Sequence, residues 1–254
     1  MSGIWNNSVM KFSAYLDTLD REGTLLAPAA ARSGWHAKVP SCPEWTSREL
    51  VQHIGQVHRW AGDHVMRQRT EDDIDLAEPP ADDALLAWYA DGHARLVNAL
   101  REAGPGAPAW HFLPAPSGSD FWVRRQAHET AIHRVDAELA AGTPLAPIEP
   151  DFAADGVDEV LSAFYARRPS RMTSAEPFSF GLIATDVDRR WLTVVDADGP
   201  ATTSLDGPAD VIVTATAADL YLLVWNRLDH RDLPADGDRA ALDEWRDRAH
   251  IVWS

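Results

Sequence analysis

The segment "TSRELVQHIGQVHRW", residues 46–60, carries the clearest helix signal in this chain. Thr46 and Glu49 have the spacing of a capping box, in which two side chains satisfy free backbone N–H groups at a helix start. The apolar positions that follow are Leu50, Ile54, Val57 and Ala61. Because they recur every three or four residues, they would lie on one face of a helix. The segment therefore predicts an amphipathic helix that runs to about residue 68.

Three further helices are predicted around this one in the first two-thirds of the chain. Apolar residues at helical spacing mark residues 8–33 and 81–104, and residues 120–141 form a further helix that Gly142 closes. Residues 39–45, "VPSCPEW", are expected to be a loop because of their prolines. Four helices of this length joined by loops are typical of a four-helix bundle.

The last third of the chain has a different sequence pattern, which predicts both strands and helices. It begins with a predicted linker, "TPLAPIEP", and a helix over residues 151–168. Three segments then follow that are rich in β-branched and aromatic residues, which is typical of strands. The three strands are residues 178–186, 190–198 and 209–216. An apolar helix, "AADLYLLVWNRL", is expected to pack on their sheet. The predicted fold class is therefore α+β, with a helical bundle at residues 1–147 followed by a small α/β domain at 148–254.

Charge and composition restrict the partners and the location. The formal net charge is −16, and such a field repels phosphate backbones, so nucleic acid is not an expected partner. The chain opens without a signal peptide and contains no apolar run of membrane-spanning length, so we expect a cytoplasmic protein without a membrane partner. Cys42 is the only cysteine, which excludes an intrachain disulfide and a cysteine-based zinc site. A monomer and a homodimer both remain open.

The stretch "HETAIH", residues 128–133, resembles the zinc-protease motif H-E-x-x-H but has one residue too many. A helix turns about 100° per residue, so His128 and His133, five apart, point about 140° away from each other. Glu129 and His133 are four apart and share one face. The spacing therefore predicts a carboxylate and an imidazole as a pair of metal ligands.

A mononuclear catalytic zinc takes three protein ligands and keeps one open position. The predicted helix at residues 46–68 offers His53, which lies three residues after Leu50 and borders the apolar face. His58, five residues further on, points elsewhere by the same rotation argument. The predicted metal ligands are therefore His53, Glu129 and His133.

Two alternatives stand beside this metal site. Arg125, Glu129 and His133 are each four apart and would also fit a ladder of surface charges, with His53 as a histidine at the edge of the core. Asp136, three residues after His133, would either accept a hydrogen bond from the ligand imidazole or pair with a surface arginine.

These segments also resemble a known family. "VPSCPEWTSRELVQHIGQVHRWAGDHV", residues 39–65, and "RRQAHETAIHRVDAELAAG", residues 124–142, are similar to the mycothiol-dependent maleylpyruvate isomerase family, and "GPADVIVTATAADLYLLVWNRLD" resembles its C-terminal part. The resemblance implies a DinB-like four-helix bundle whose metal triad falls on His53, Glu129 and His133. It also implies a catalytic arginine, for which Arg227 is the counterpart, although Asn226 stands where the family usually has glycine.

The resemblance further implies a cofactor and a reaction. It implies a divalent metal ion, with zinc as the first choice, that binds the thiol of mycothiol and favours its thiolate. Attack of this thiol cosubstrate on a small electrophilic substrate would give cis–trans isomerisation or thiol transfer. The other functions left open are a non-catalytic metal- or ligand-binding or regulatory protein on the same scaffold, and a metal-dependent hydrolase.

Overall fold

The computed structural model describes residues 10–72, 75–167 and 172–249. The described residues divide into two compact units, with residues 10–147 in one and the residues from 148 onward in the other. The first unit contains four long helices, and the second contains a mixed sheet with shorter helices.

The four helices of the first unit are α1 (Phe12–Ser33), α2 (Ser47–Arg67), α3 (Asp82–Ala103) and α4 (Gly118–Ala141). Helix α1 packs chiefly against α4, and α2 packs chiefly against α3 while also contacting α4. Their shared core contains, among others, Leu26, Leu50, Ile54, Leu85 and Tyr89. The prediction of a four-helix bundle is thereby confirmed.

Helix α2 begins as its sequence predicts. The backbone N–H of Thr46 donates to Glu49 Oε2 at 2.8 Å, and the Thr46 side chain caps the first turn in return. Its buried face differs slightly from the predicted one, because Val57 is half-buried and His58 is fully buried. A histidine therefore occupies a core position that the pattern of apolar residues assigns to its neighbour.

Residues 39–45, predicted as a loop, take part in a short antiparallel hairpin of β1 (Lys38–Val39) and β2 (Cys42–Thr46). Lys38 pairs with Thr46, and Val39 pairs with Cys42. The loop prediction was wrong because Pro40 and Pro43 hide the strand signal. Proline is tolerated in a two-stranded ladder, since both strands are edges and not every N–H needs a partner strand.

The second unit begins with α5 (Pro150–Glu159), which continues into a π-helical turn at Val160–Phe164. Its five strands are β3 (Phe178–Ala184), β4 (Arg190–Asp196), β5 (Gly199–Ser204), β6 (Val211–Ala215) and β7 (Ala235–Gly237). They lie in the order β5-β4-β3-β6-β7, with β3 and β6 parallel and the other neighbours antiparallel. Helices α6 (Ala217–Val224) and α7 (Arg239–Arg248) complete the unit.

The three strands and the apolar helix predicted for this region are all present. Strands β5 and β7 and helix α7 were not predicted. The two strands are at the edges of the sheet, where one side of the ladder stays open and little apolar alternation is needed. β7 has only three residues, and α7 is rich in charged residues.

None of the helices formed by the described residues is both long enough and apolar enough to cross a membrane.

Candidate metal centre

The three predicted ligands converge inside the first unit. His53 extends from α2, and Glu129 and His133 extend from successive turns of α4. Glu129 Oε1 lies 3.2 Å from His53 Nε2 and 3.3 Å from His133 Nε2, and all three ligand atoms lie within 4.8 Å of one another. Nitrogen and oxygen ligands about 2.0–2.1 Å from a tetrahedral zinc are about 3.4 Å apart, so both measured separations fit such an ion.

The second ring nitrogen of His133 is held by Asp136. His133 Nδ1–H donates to Asp136 Oδ2 at 2.9 Å, and the Ser41 hydroxyl donates to Asp136 Oδ1. Asp136 is fully buried, so it is not the surface partner of an arginine that one alternative expects. A carboxylate at Nδ1 keeps a proton there and directs Nε2 toward the ligand position.

Arg125 approaches Glu129 from the preceding turn of α4. Its Nη2 donates to Glu129 Oε2 at 3.1 Å, so the two carboxylate oxygens of Glu129 have different partners. Arg125 is 2% exposed, and Glu129 and His133 are each 4% exposed. The ladder of charges formed by Arg125, Glu129 and His133 therefore exists. The prediction that this ladder lies at the surface was wrong.

Burial and ion pairing shift the pKa values of two ligands. Burial opposes protonation of His133, but its hydrogen bonds to Asp136 and Glu129 outweigh that effect and raise its pKa to about 9. Burial also opposes ionisation of Glu129, yet hydrogen bonds from His133 and His53 hold the pKa of Glu129 well below its usual range. In the metal-free protein, Glu129 is therefore an anion between donor groups.

Trp45 packs against both imidazoles, and sequence reasoning missed it. Its ring centroid lies 4.8 Å from that of His53 and 5.8 Å from that of His133. Trp45 is half-buried on β2 and directly precedes Thr46, the cap of α2. The only sequence signal for it was this position next to the capping box.

The other histidines near the motif have different surroundings. His58 is buried with its Nε2 2.9 Å from Thr130 Oγ1, and burial holds its pKa well below the usual value. His128 is buried beside the ring of Tyr15, with ring centroids 6.3 Å apart. Among the described histidines, cysteines and acids, only His53, Glu129 and His133 form a group with metal-ligand spacing.

Arg227 belongs to the second unit, where it follows α6 in a turn. It is half-buried, and its Nη1 donates to the backbone oxygen of Trp225 at 2.6 Å. The preceding Asn226 has φ of 63°, a left-handed conformation that glycine adopts freely and asparagine more readily than most other residues. The departure from the family's glycine is thus compatible with this backbone, and the role of Arg227 stays a prediction.

A polar cavity of about 660 Å³ in the second unit contains none of the predicted ligands. It lies between the π-helical turn and strands β4 and β5, with Asp158, Arg189, Trp191 and Thr202 among its lining residues. Asp158 accepts a hydrogen bond from Trp191 Nε1 at 2.6 Å. The size of this cavity does not make it the candidate site, because the converging ligand atoms lie in the other unit.

The fold and this cluster define a class of two-unit proteins in which a helical bundle carries a His–Glu–His group and an α/β unit follows. Two family profiles match the chain: the mycothiol maleylpyruvate isomerase N-terminal domain over residues 16–138, and the corresponding MDMPI C-terminal domain over residues 151–244. The chain therefore belongs to the mycothiol-dependent maleylpyruvate isomerase family, an enzyme family of the isomerase type.

Two structures of one isomerase are among the solved structures that share this fold. The crystal structure of the mycothiol-dependent maleylpyruvate isomerase aligns with a TM-score of 0.56 at 15% identity and covers 87% of this chain and 90% of that one. A histidine-to-alanine mutant of that isomerase aligns with a TM-score of 0.57 at 14% identity and the same coverage. At this identity the likeness establishes the fold. None of the curated protein sequences matches this chain.

Proposed function

We propose that this protein is a metal-dependent enzyme that uses the thiol of mycothiol to attack a small electrophilic substrate. The reaction is cis–trans isomerisation of the maleylpyruvate isomerase type or transfer of the thiol. Family membership supports the thiol and the isomerase class. The observation that carries the metal dependence is the convergence of His53 Nε2, Glu129 Oε1 and His133 Nε2.

The donor set fits zinc. Two imidazoles and one carboxylate are a known ligand set of catalytic zinc, and three protein ligands leave one tetrahedral position open. When bound, zinc supplies Lewis acidity that lowers the pKa of a thiol at the open position, so that a thiolate forms at neutral pH.

The surrounding residues prepare the three ligands. Asp136 holds a proton at His133 Nδ1, which leaves Nε2 to face the ligand position. Arg125 occupies Glu129 Oε2 and leaves Oε1 between the two imidazoles. We further propose that residues 1–147 and 148–254 are the two domains of the protein. Arg227 matches the family's arginine, and we assign it as the catalytic residue of the C-terminal domain.

A non-catalytic protein with a structural metal is less well supported. A structural zinc is normally closed by four protein ligands. Among the described residues, the group with ligand spacing has three members. A metal-dependent hydrolase would need a general base beside the open position, and the carboxylate of Asp136 is already engaged by His133 and Ser41. We also propose that the protein's partners are small molecules and that it acts in the cytoplasm.

Metal analysis of the purified protein tests the metal centre. We expect bound zinc in the wild type and its loss in His53→Ala and Glu129→Ala, because each variant removes one of three ligands. His128→Ala is the matched control, since His128 is also a buried histidine of α4 but lies outside the ligand group. Unchanged metal content in both ligand variants would refute the site.

Calorimetric titration with mycothiol then tests the thiol. The zinc-loaded wild type should bind mycothiol, and the His53→Ala variant should bind it weakly or not at all. Absence of binding to the zinc-loaded wild type would reject mycothiol and favour the hydrolase or the binding protein.

A further inference from the structure

The two imidazoles of the candidate metal centre are held in different ways. His133 is fixed at Nδ1 by Asp136, at 2.9 Å. His53 makes one hydrogen bond within the described part of the chain, from Nε2 to Glu129 Oε1 at 3.2 Å. That bond uses the same nitrogen that a metal would take. Hydrogen bonding in the described residues therefore leaves the ring of His53 without a second anchor.

Packing against Trp45 provides a second contact for His53. The centroids of the indole and the His53 imidazole are 4.8 Å apart with an angle of 48° between the planes. The same indole stacks on His133 at 5.8 Å and 29°, and the two imidazoles meet edge to face at 5.1 Å. Aromatic pairs at these separations attract each other in offset or edge-to-face geometry, so the indole restricts rotation of both ligand rings.

The position of Trp45 is itself well determined by the chain. It is held in β2 by the pairing of Lys38 with Thr46 and is followed at once by the capping box of α2, the helix that carries His53. The hairpin also reaches the other ligand, because the Ser41 hydroxyl donates to Asp136. One short hairpin thus contacts the supports of both imidazoles.

We propose that Trp45 is a positioning residue that orients His53 for metal binding, as Asp136 does for His133. The proposal rests on the metal centre of the proposed function. An aromatic face takes the place of a hydrogen-bond acceptor here: it blocks rotation of the ring away from Glu129 and keeps Nε2 directed at the ligand position.

Zinc dissociation constants, measured by competition with a chelator, test this role. Replacement of a residue that supports a metal ligand typically costs 10–100-fold in affinity, so Trp45→Ala should weaken zinc binding by about tenfold. Trp45→Phe keeps an aromatic face over His53 and should stay within about threefold of the wild type. Trp35→Ala is the matched control, since Trp35 is a second half-buried tryptophan packed on the same core cluster, and it should bind zinc like the wild type.

A spectroscopic measurement separates orientation from general packing. In protein loaded with Co²⁺, Trp45→Ala should shift the visible absorption of the ion, because a tilted His53 changes the coordination geometry, and Trp35→Ala should leave the spectrum unchanged. If Trp45→Ala does not fold, Trp45→Leu replaces it, since leucine keeps apolar bulk without a flat ring.

The outcomes are distinguishable from failure of the metal centre itself. Tight zinc binding by the wild type together with equal affinity in Trp45→Ala would overturn the role of Trp45 and leave the proposed function intact. Equal losses in Trp45→Ala and Trp35→Ala would likewise overturn it, because they would indicate packing alone. A wild type that binds no zinc would overturn the proposed function, and the positioning role with it.

Discussion

At Glu129 the two carboxylate oxygens have different partners. Oε1 lies between the Nε2 atoms of His53 and His133, and Oε2 accepts from Arg125. An arginine that occupies one oxygen favours a single metal–oxygen bond through the other. Each ligand is therefore held by at least one neighbour outside the ligand group, and small changes in those neighbours should be measurable as changes in affinity.

Asp136→Asn should weaken zinc binding by about 10–100-fold without unfolding the bundle, because the amide no longer holds the Nδ1 proton of His133 as a carboxylate does. Chelator competition measures the dissociation constant. Asp63→Asn is a control on α2, since Asp63 pairs with Arg67 away from the ligand group. Equal affinities of Asp136→Asn and the wild type would contradict the role of Asp136.

Zinc affinity should increase as the pH rises. In the metal-free protein His133 keeps its proton up to a pKa of about 9, and zinc must displace that proton from Nε2. Protonation therefore competes with the metal below about pH 9, and affinity should fall by up to about tenfold for each unit of decrease in that range. Dissociation constants at several pH values measure the slope, and calorimetry in two buffers of different ionisation enthalpy measures the released proton. A flat profile would show that His133 is not a ligand.

At the scale of elements, helix α4 is buried although it contains many polar and charged residues. Nearly every side chain of this helix is buried, although charged and polar residues lie on all of its faces. Arg125 pairs with Glu129, and Arg134 pairs with Glu22 and Glu138. Burial of such groups is tolerated because each charge meets an opposite charge or a hydrogen-bond partner.

The start of α2 is the element on which His53 depends. Thr46→Ala removes one half of the capping box and should lower the free energy of unfolding by about 1 kcal/mol. Thermal or denaturant unfolding of the metal-free protein measures this loss. Thr24→Ala is a suitable control, since the hydroxyl of Thr24 is exposed and bonds only to Asp20 O within α1. A loss no larger than that of the control would show that the cap contributes little.

At the largest scale, a buried network of ion pairs joins segments of the first unit that are far apart in the sequence. Arg134 Nε donates to Glu22 on α1 at 2.8 Å, and its Nη1 donates to Glu138 at 2.6 Å and to the backbone oxygen of Ala146 at 3.1 Å. All three side chains are buried. The network connects α1, α4 and the segment that leaves α4.

Arg134→Met should destabilise the protein by about 3–5 kcal/mol, because it leaves two buried carboxylates without their main counter-charge. Denaturant unfolding measures this loss, with Arg95→Met, which breaks an exposed pair with Asp91, as the control. Comparable stability of the two variants would contradict this role of the network.

The local parts of this protein follow from sequence because their causes are local. Helical periodicity and a capping box depend on residues three or four apart, so the four helices were predicted, and the rotation per residue was enough to separate Glu129 and His133 from His128. The three ligands chosen by spacing converge in the structure, while their binding of a metal stays a proposal.

Contacts between distant segments were decided by the tertiary structure alone. The pairing of β1 with β2, the edge strands β5 and β7 and the packing of Trp45 on two imidazoles all join residues that periodicity does not relate. The burial of Arg125 was missed for the same reason, because a charged residue is predicted to be exposed unless its partners are known. The sequence by itself thus determined the helices and which side chains share a helix face, and only the folded chain decided which faces meet, because that choice depends on packing and charge pairing across the whole unit.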